Sequence, residues 1–467
     1  MGSIVSDRRV KVQLWRRALT GMVVCMGMWW GGPLLRAQPA GGQDQRGAPG
    51  ELVLTLEACV RRAVANHPEV EAARARVRAA QAARQQARLW PNPGLELASE
   101  DGPLNRGSFA EESKQTVGVA QTIPFPGKKR LDSAMGRLEW ERMEQQRRAV
   151  LLSVIREVKL AWVRVLGREA VLEATRDSVR AAGALAAAVR ERLRAGAVAE
   201  VDVLRAETLL EQARMELDEA RSRREEALKE LALLVGEPAW DRLDVAGGLR
   251  EQPDPMLVGR EPTEWLPDHP LVAAAWAETE RARAAVRRSS MEVWPDVTFW
   301  FRGGRAGPAD EVVAEVGLTL PLPAWDRGRY RVAEASARRE EAEAALAARQ
   351  RELLLTWERE RYRLERASAQ VRRLQSEVLP RTEKTVELLR AGYEAGKFDL
   401  LVLLDAERAA AEARRAHAQA VLEMNLAHVE LETLAGAEMA GSFLDDEPRE
   451  KKQPPESNAS RGGEEER

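Results

Sequence analysis

The sequence contains very little cysteine. Of its 467 residues, only Cys25 and Cys59 are cysteines. Cys25 falls inside a segment predicted to be a cleaved secretory signal, so the mature chain would keep one thiol. A single cysteine cannot form an intrachain disulfide. We therefore expect an exported protein that is held together by packing and assembly.

Aromatic residues and an excess of charge of one sign are also lacking. Aromatics make up 5% of the chain, and charged residues make up 31% but leave a formal net charge of only −2. A nucleic-acid-binding protein usually has a basic excess, so no nucleic-acid partner is expected. The abundance of Ala, Arg, Glu and Leu is typical of long helices or coiled coils.

Catalytic and cofactor-binding patterns are missing as well. The sequence shows no glycine-rich phosphate-binding loop, no nucleophile motif and no zinc-ligand spacing. We predict that the protein is not an enzyme and that it has no cofactor and no catalytic residue.

The only marked apolar run is short and lies near the N-terminus. Residues 18–30 are mostly apolar and follow a basic start that includes Arg16 and Arg17. A transmembrane helix needs roughly 20 apolar residues, which argues against a membrane anchor here. We predict a signal peptide over residues 1–37, cleaved after Ala37, and a flexible segment over residues 38–50.

The remainder of the chain carries a duplicated pattern with a period of roughly 200 residues. Asn-His-Pro at residues 66–68 corresponds to Asp-His-Pro at residues 268–270. Proline is tolerated in the first turn of a helix, so Asn66 and Asp268 are expected to be N-caps. Each of these helices should end at the Trp-Pro pair that follows it.

Two short strands are predicted after the Trp-Pro pair in each half. The alternation is clearest near the end of the second pair, where Val312, Val316 and Leu318 share one face. Glycine and proline at residues 101–103, 303–304 and 307–308 indicate turns between the strands. The four predicted strands cover residues 92–100, 115–123, 296–302 and 312–320.

A long helix is predicted after each strand pair, beyond a proline-rich corner. Residues 128–193 contain no proline and have apolar residues at spacings of three and four, which predicts a helix on the order of 100 Å long. Residues 327–379 predict a comparable helix, and Pro380 should kink it near its end.

Each long helix then reaches a turn with matching residues. The letters Leu-Arg-Ala-Gly occur at residues 193–196 and again at 389–392. Return helices are predicted over residues 201–234 and 400–434, ending at Gly236 and Gly436, because glycine is the preferred residue after a helix.

This pattern predicts two repeats, at residues 51–237 and 268–440. Residues 238–267, rich in proline, glycine and aspartate, would form the linker between them. Residues 441–467 are charged and rich in proline, serine and glycine, which predicts a disordered tail.

The predicted strands have about the length that a tilted strand needs to cross an outer membrane. Four strands cannot close on themselves, since the smallest common barrels need about eight. They could do so only if several chains contribute to one barrel. The helices are far too charged to cross lipid and should extend into the periplasm.

Together these features resemble the TolC family of outer-membrane efflux proteins over residues 52–436. The resemblance implies a mainly α fold with a small membrane β-barrel, in which a homotrimer forms a twelve-stranded barrel in outer-membrane lipid and a twelve-helix periplasmic tunnel. It also implies a periplasmic adaptor (membrane fusion protein) and an inner-membrane pump of the RND type as partners. The segments that carry it are Leu54-Thr55-Leu56-Glu57-Ala58, Asn66-His67-Pro68, Trp90-Pro91-Asn92-Pro93, the corner at residues 121–128, and the turns at Gly196 and Gly392.

Within the family, Trp-Pro-Asn-Pro at residues 90–93 followed by the corner at residues 121–129 is similar to the heavy-metal-efflux branch, the CzcC- and CusC-like channels. Multidrug efflux and type I protein secretion use the same scaffold and remain alternatives. Two readings from other classes are a periplasmic adaptor, which usually has one helical hairpin, and a soluble coiled-coil protein.

The resemblance places candidate site residues at the two helical tips, over residues 194–204 and 390–405. These tips would contact the adaptor and close the tunnel. The adaptor-contacting candidates are Arg194, Ala195, Gly196, Arg390, Ala391, Gly392 and Gly396.

The family can also carry an Asp-x-x-Asp ring at the narrow end of the tunnel. Asp405 falls at its second aspartate, while Val402 stands at the first and Asp399 lies one turn earlier. In a trimer, one inward aspartate would bring three carboxylates together and favour cations. A solvated surface aspartate is the alternative.

A dedicated metal site is not expected. His67 and His269 occupy equivalent helix starts, which indicates a structural role. His417 and His428 share a helix face but would lie roughly 16 Å apart along the axis, too far to bind one ion together.

Overall fold

The computed structural model describes residues 52–100, 114–238, 241, 243–306 and 311–436. The predicted signal peptide, the segment at residues 38–50, the tail at residues 441–467 and the turns at 101–103 and 307–308 lie outside the described residues.

The first half runs from helices through a strand pair into two long helices. Leu54, just before the first helix, is buried. The elements are β1 (Leu52–Leu54), α1 (Leu56–Asn66), α2 (Pro68–Gln86), β2 (Gly94–Glu100), β3 (Lys114–Ile123), α3 (Lys128–Arg194) and α4 (Glu200–Val235).

The second half repeats this order, and the fold is mainly helical with a small sheet, as predicted. The elements are α7 (Pro270–Ser290) with a 3-10 turn (Met291–Val293), β5 (Val297–Ala306), β6 (Glu311–Thr319), α8 (Arg329–Arg373), a π-helical turn (Leu374–Val378), α9 (Leu379–Glu394) and α10 (Leu400–Ala435).

The stretch between the halves has structure of its own, which composition did not predict. It contains β4 (Leu243–Val245), α5 (Pro255–Val258) and α6 (Pro262–Trp265). β4 pairs in parallel with β1. The Asn425 carboxamide anchors the segment to α10, since it accepts from the Arg250 N–H at 2.9 Å and donates to the Arg250 carbonyl at 2.8 Å.

The predicted N-caps are each wrong by one residue. The caps are His67 and His269, whose Nδ1 atoms accept from the N–H of Glu69 at 3.3 Å and of Leu271 at 3.2 Å. Proline at the next position forces the preceding residue out of the helical region, so that residue becomes the cap. Asn66 is instead the last residue of α1.

The helix ends differ between the halves. Gly236 ends α4 in the left-handed region at φ 75°, as glycine after a helix commonly does. Gly436 follows the last residue of α10 as predicted, but at φ −91° it is not left-handed.

The second long helix is interrupted just before Pro380. The π-helical turn at Leu374–Val378 lies between α8 and α9. Proline has no N–H to donate and its ring crowds the carbonyl four residues earlier. The wider π turn accommodates both effects where the sequence predicted a kink.

No described helix is apolar enough over a sufficient length to cross a lipid bilayer.

The four main strands form one antiparallel sheet in the order β2-β3-β5-β6. The two hairpins join at a seam between β3 and β5, where Ile123 pairs with Val297 and Gln115 with Arg305. We call this junction the inner seam. β2 and β6 are the outer edges of the sheet. Gly303 and Gly304, which were predicted to lie in the loop, belong to β5 and pair with Ala314 and Val313.

Apolar packing is distributed along the helices in separate clusters. One joins α1, α3 and α4 to the β1–β4 pair around Cys59, Val158 and Leu231. A second, around Trp357, joins α6 and α7 to α8 and α10. A third holds the ends of the two long hairpins together.

Candidate functional site

The two long helical hairpins end in turns of the same geometry. We call residues 194–200 the first tip and residues 394–400 the second tip. Gly196 and Gly396 both have φ 71°, a left-handed conformation that glycine adopts without steric cost. The bonds that close the turns run from the N–H groups of Gly196, Ala197, Gly396 and Lys397 to the carbonyls of Leu193, Arg192, Tyr393 and Gly392, at 2.8–3.0 Å.

The predicted match between Gly196 and Gly392 is therefore wrong, and Gly396 is the counterpart. Gly392 lies buried in the last turn of α9. A Cβ on it would stand 2.2 Å from Cδ2 of Phe398, so this glycine makes room for a ring. The letters at residues 389–392 repeat those at 193–196, but the second copy occurs one helical turn before the tip.

Arg390 and Ala391 consequently lie on α9 and not in the turn. Arg390 donates to the buried carboxylate of Glu407 at 2.5 Å. Arg190 donates to Glu207 at 2.8 Å at the equivalent place in the first hairpin. An Arg–Glu ion pair thus clamps the last turns of both hairpins, and Arg194 and Ala195 stand beyond the clamp at the exposed end.

Near the tips, Arg192 of the first hairpin contacts Tyr393 of the second. Arg192 donates to the Tyr393 carbonyl at 2.7 Å, and its guanidinium lies 4.5 Å from the centroid of the Tyr393 ring. Cation–π contacts of this kind are worth about 0.5–2 kcal/mol. The position equivalent to Arg192 in the second hairpin is Gly392, which has no side chain to make the same contact in return.

The Tyr393 side chain is buried at this junction. Its hydroxyl has no hydrogen-bond partner within the described part of the chain. Burial raises the pKa of this hydroxyl, and Arg192 partly opposes the rise. Sequence reasoning missed both residues, because neither stands in a motif and they are brought together only by the packing of the hairpins.

The two candidate constriction aspartates have different surroundings. Asp399 caps α10, since its carboxylate accepts the Leu400 N–H at 2.8 Å. Asp405 is exposed, and its carboxylate lies 3.9 Å from the Arg408 guanidinium. Val402, one turn before Asp405, is also largely exposed. Of the two carboxylates, Asp405 is the one that faces solvent without a structural task.

Both tips expose large apolar side chains beside their charges. Exposed apolar groups that cluster next to polar ones commonly mark a contact surface. The residues are Val201 and Leu204 near the first tip, and Phe398, Leu401 and Val402 near the second.

At the other end of the molecule, the sheet has one apolar and one polar face. Register places Val119 beside Phe301 and Phe301 beside Val316 on the same face. An apolar face of this kind suits contact with lipid. Its exposed members are Leu95, Leu97, Val117, Val119, Phe299, Phe301, Val312, Val316 and Leu318.

The opposite face of the sheet carries ion pairs. Arg302 donates to Glu96 at 2.9 Å and also lies 3.6 Å from Glu100. Lys114 pairs with Glu315 across the sheet. The strands therefore separate apolar from charged side chains by alternation.

The histidines and the cysteine do not come together. Among the described residues, no group of three or more His, Cys, Asp or Glu side chains is placed to hold a metal ion. Burial, with Arg349 nearby, lowers the pKa of His269 to about 4. Burial also lowers the pKa of His428 and raises that of the Cys59 thiol to about 11.

Comparison with known proteins gives a consistent result. The outer membrane efflux protein family matches residues 59–237 and 262–437. The cobalt-zinc-cadmium resistance protein CzcC of Cupriavidus metallidurans is 30% identical over 373 residues, which cover 77% of this chain and 85% of that protein. The pyoverdine export outer membrane protein OpmQ of Pseudomonas putida is 25% identical, over 81% of this chain and 85% of that protein.

The fold is also similar to that of a solved structure. A crystal structure of CusC superposes with a TM-score of 0.71 at 17% identity, over 84% of this chain and 95% of that one. At this identity the likeness concerns the fold alone.

Proposed function

The chain belongs to the outer membrane efflux protein family, and we propose that its cargo is divalent heavy-metal cations. Members of the family are passive channels in the outer membrane, with a helical part in the periplasm, so this chain is a channel subunit and not an enzyme. They form trimers and work with periplasmic adaptors and inner-membrane pumps.

The metal cargo is supported by one observation above the others. The relative that matches at 30% identity over 85% of its length is named for resistance to cobalt, zinc and cadmium. OpmQ, named for pyoverdine export, matches over the same share of its length at 25%. We propose an RND-type pump as the inner-membrane partner, because the resemblance of residues 90–93 and 121–129 to CzcC-like channels implies that class of pump.

The tips are proposed as the adaptor-contacting surface. Arg194, Ala195 and Gly196 lie at the exposed end of the first hairpin, and Gly396 lies at that of the second. The apolar side chains of Val201 and Leu401 are exposed beside them. Burial of such side chains against a partner would stabilise the contact by roughly 25 cal/mol per Å² of apolar surface.

Asp405 is proposed as the tunnel constriction. Its carboxylate is exposed and is not needed to cap a helix, unlike that of Asp399. Three copies in a trimer would place three negative charges around one axis and favour cations over anions. Replacing Asp405 by Asn should reduce the cation preference measured in single-channel conductance, with no loss of assembled protein.

The function is tested by deleting the gene in its own bacterium. We expect tolerance of Co²⁺, Zn²⁺ and Cd²⁺ to fall several-fold, while tolerance of lipophilic drugs and export of siderophore stay unchanged. The full chain should restore metal tolerance. Unchanged metal tolerance together with a loss of drug tolerance or siderophore export would overturn the metal proposal in favour of the corresponding cargo.

The same strain tests the tips. Leu401→Asp places a charge at the proposed contact surface, and Leu388→Asp places one on an exposed site of α9 away from the turn. We expect the Leu401 variant to fail in restoring tolerance and the Leu388 variant to succeed. Equal restoration by both would count against adaptor contact at the second tip.

A further inference from the structure

The two outer edges of the four-stranded sheet are open. Within the described part of the chain, β2 pairs only with β3 and β6 pairs only with β5. Each outer edge therefore presents backbone N–H and carbonyl groups that are ready to pair with another strand. A head-to-tail contact between copies joins two different edges and can close into a ring.

The inner seam shows how this chain seals such a junction at its base. Phe125, which follows β3, stacks on Trp294, which precedes β5, with ring centroids 5.2 Å apart and planes 12° apart. The Asp296 carboxylate accepts from the Phe125 N–H at 2.8 Å and from the buried Lys128 ammonium at 2.9 Å. We call these four residues the corner lock.

The repeat contains the parts of this lock a second time. Trp90-Pro91-Asn92 leads into β2 as Trp294-Pro295-Asp296 leads into β5. Thr-Leu-Pro-Leu-Pro at residues 319–323 leaves β6 as Thr-Ile-Pro-Phe-Pro at residues 122–126 leaves β3. Leu322 thus corresponds to Phe125, and Trp90 corresponds to Trp294.

These second parts are not joined within the chain. The sheet order places β2 and β6 at opposite edges, so Trp90 and Leu322 are attached to different sides of the sheet. Leu322 is 77% exposed, whereas its counterpart Phe125 is half-buried. Trp90 and Trp294 are exposed to a similar extent, at 60% and 57%, but Trp294 has an aromatic ring stacked on it while Trp90 and Leu322 lie at opposite edges of the sheet.

We propose that the second lock forms between copies of the chain: Leu322 of one copy packs on Trp90 of the next, and the Asn92 carboxamide oxygen accepts the Leu322 N–H. This rests on the proposed channel, because it takes a closed ring of copies as its setting. It adds the residues that seal the junction between neighbouring copies.

The lock between copies differs from the inner one in charge. Asn92 is neutral where Asp296 is an anion, so the ion pair with Lys128 has no full counterpart. Four residues, at 324–327, also separate Pro323 from the Gly328 that precedes α8, whereas Pro126 directly precedes Gly127. The contact between copies therefore depends on apolar packing and one backbone hydrogen bond.

The test is disulfide trapping in the full chain. The double variant Trp90→Cys/Leu322→Cys is extracted from the outer membrane in detergent, oxidised with copper phenanthroline and separated on a non-reducing denaturing gel. We expect covalent dimers and trimers that revert to monomer on reduction. Each single-cysteine variant should run as a monomer on the same denaturing gel. Cys59 is buried, so its thiol should not interfere.

A matched control applies the same chemistry to the inner seam. In Phe125→Cys/Trp294→Cys, both positions belong to one lock within one chain, so oxidation should consume thiols and leave the band at the monomer. The proposal is overturned when the Trp90/Leu322 variant sediments as a trimer in detergent and still yields no covalent oligomer. That result would leave the channel itself intact, whereas a wild-type chain that is monomeric in detergent would refute the channel assembly.

A second variant decides the matter when the double-cysteine chain does not assemble. Leu322→Ala should lower the temperature at which the trimer dissociates, while Leu388→Ala, at an exposed leucine of α9, should not. Equal dissociation temperatures for both variants would overturn the proposed contact.

Discussion

The two repeats have nearly the same elements, but their corners meet different surroundings. The corner after β3 is covered by Trp294 and Asp296 of the other repeat. The corner after β6 leaves Leu322 exposed. A duplication of this kind makes every junction twice, and the second copy of a junction becomes an open edge unless another chain covers it.

The two tips also share their backbone geometry but differ in the contacts of their side chains. Both turns close around a left-handed glycine, and both hairpins carry the same Arg–Glu clamp. Near the tips, Arg192 of the first hairpin reaches across to Tyr393, whereas the equivalent position of the second hairpin is Gly392. The duplicated backbone was kept while side chains at equivalent positions took on different contacts.

The largest expected loss of stability comes from a substitution at the inner seam, where β3 and β5 approach each other closely. A Cβ on Gly304 would stand 1.9 Å from the Gln115 carbonyl oxygen across the seam, a backbone atom that cannot move freely. Gly304→Ala should cost about 3 kcal/mol or more, or prevent assembly. The yield of heat-resistant trimer measures this.

Gly303→Ala is the matched control, because its nearest atom would be 3.9 Å away. It should assemble with close to wild-type yield. If both alanine variants assembled equally well, the close approach of β3 and β5 at the inner seam would be refuted.

The second prediction concerns the two cap histidines. The pKa of His269 is about 4 in the folded chain, against 6.5 for an ordinary histidine. As pH falls below 6.5 the unfolded chain takes up the proton first, so stability is lost between pH 6.5 and 4, by up to about 3 kcal/mol. His269→Asn keeps a residue suited to capping and should remove this loss.

His67→Asn changes the equivalent cap of the first repeat, which is half-buried. Unfolding midpoints of the wild type and both variants, measured from pH 7.5 to 4, make the comparison. The same acid destabilisation in the wild type and the His269 variant would rule out His269 as its source.

The third prediction compares the completed corner with the open one. Lys128→Met removes the buried partner of Asp296, which then keeps only the Phe125 N–H. Because Asp296 is partly exposed, we expect a cost of about 2 kcal/mol, below that of a fully buried pair. Arg329→Met, at the exposed equivalent position at the start of α8, should cost about 0.5 kcal/mol or less.

Thermal dissociation of the purified protein distinguishes these two variants. A similar loss for both would mean that the two corners are energetically alike, contrary to the exposure of the second.

The smallest expected loss of stability concerns the two tip turns, which have the same backbone geometry in both repeats. Gly196→Ala and Gly396→Ala both place a Cβ on a residue with φ 71° and with open space around it. Each substitution should lower the free energy of unfolding by about 1 kcal/mol. The two losses should be equal, because both arise from the left-handed backbone alone. Unfolding midpoints that differ widely between the two would show that the turns are not equivalent.

Much of the fold could be predicted from local signals. The absence of proline over residues 128–193 and the apolar spacing predicted α3 almost to the residue, and alternation located all four long strands. The functional class followed from the order of these elements. The stretch between the repeats was missed, because β1 and β4 have three residues each and are strands only by virtue of pairing with one another.

The candidate site was predicted less well. Gly196 and Gly396 were identified as turn residues. Gly392 was matched wrongly to Gly196, because the repeated Leu-Arg-Ala-Gly of the second half lies one helical turn before its tip. The Arg192–Tyr393 link carried no sequence signal, since its partners belong to different repeats.

By itself the sequence determined the duplication, the helix and strand lengths and the places where they break, because periodicity, proline and glycine act on neighbouring residues. Only the tertiary structure decided that Gly392 lies against the Phe398 ring, that Arg192 contacts Tyr393, and that Phe125 stacks on Trp294 while Leu322 stays exposed. Those outcomes depend on distances between residues far apart in the chain, which are set by packing and by the order of strands in the sheet.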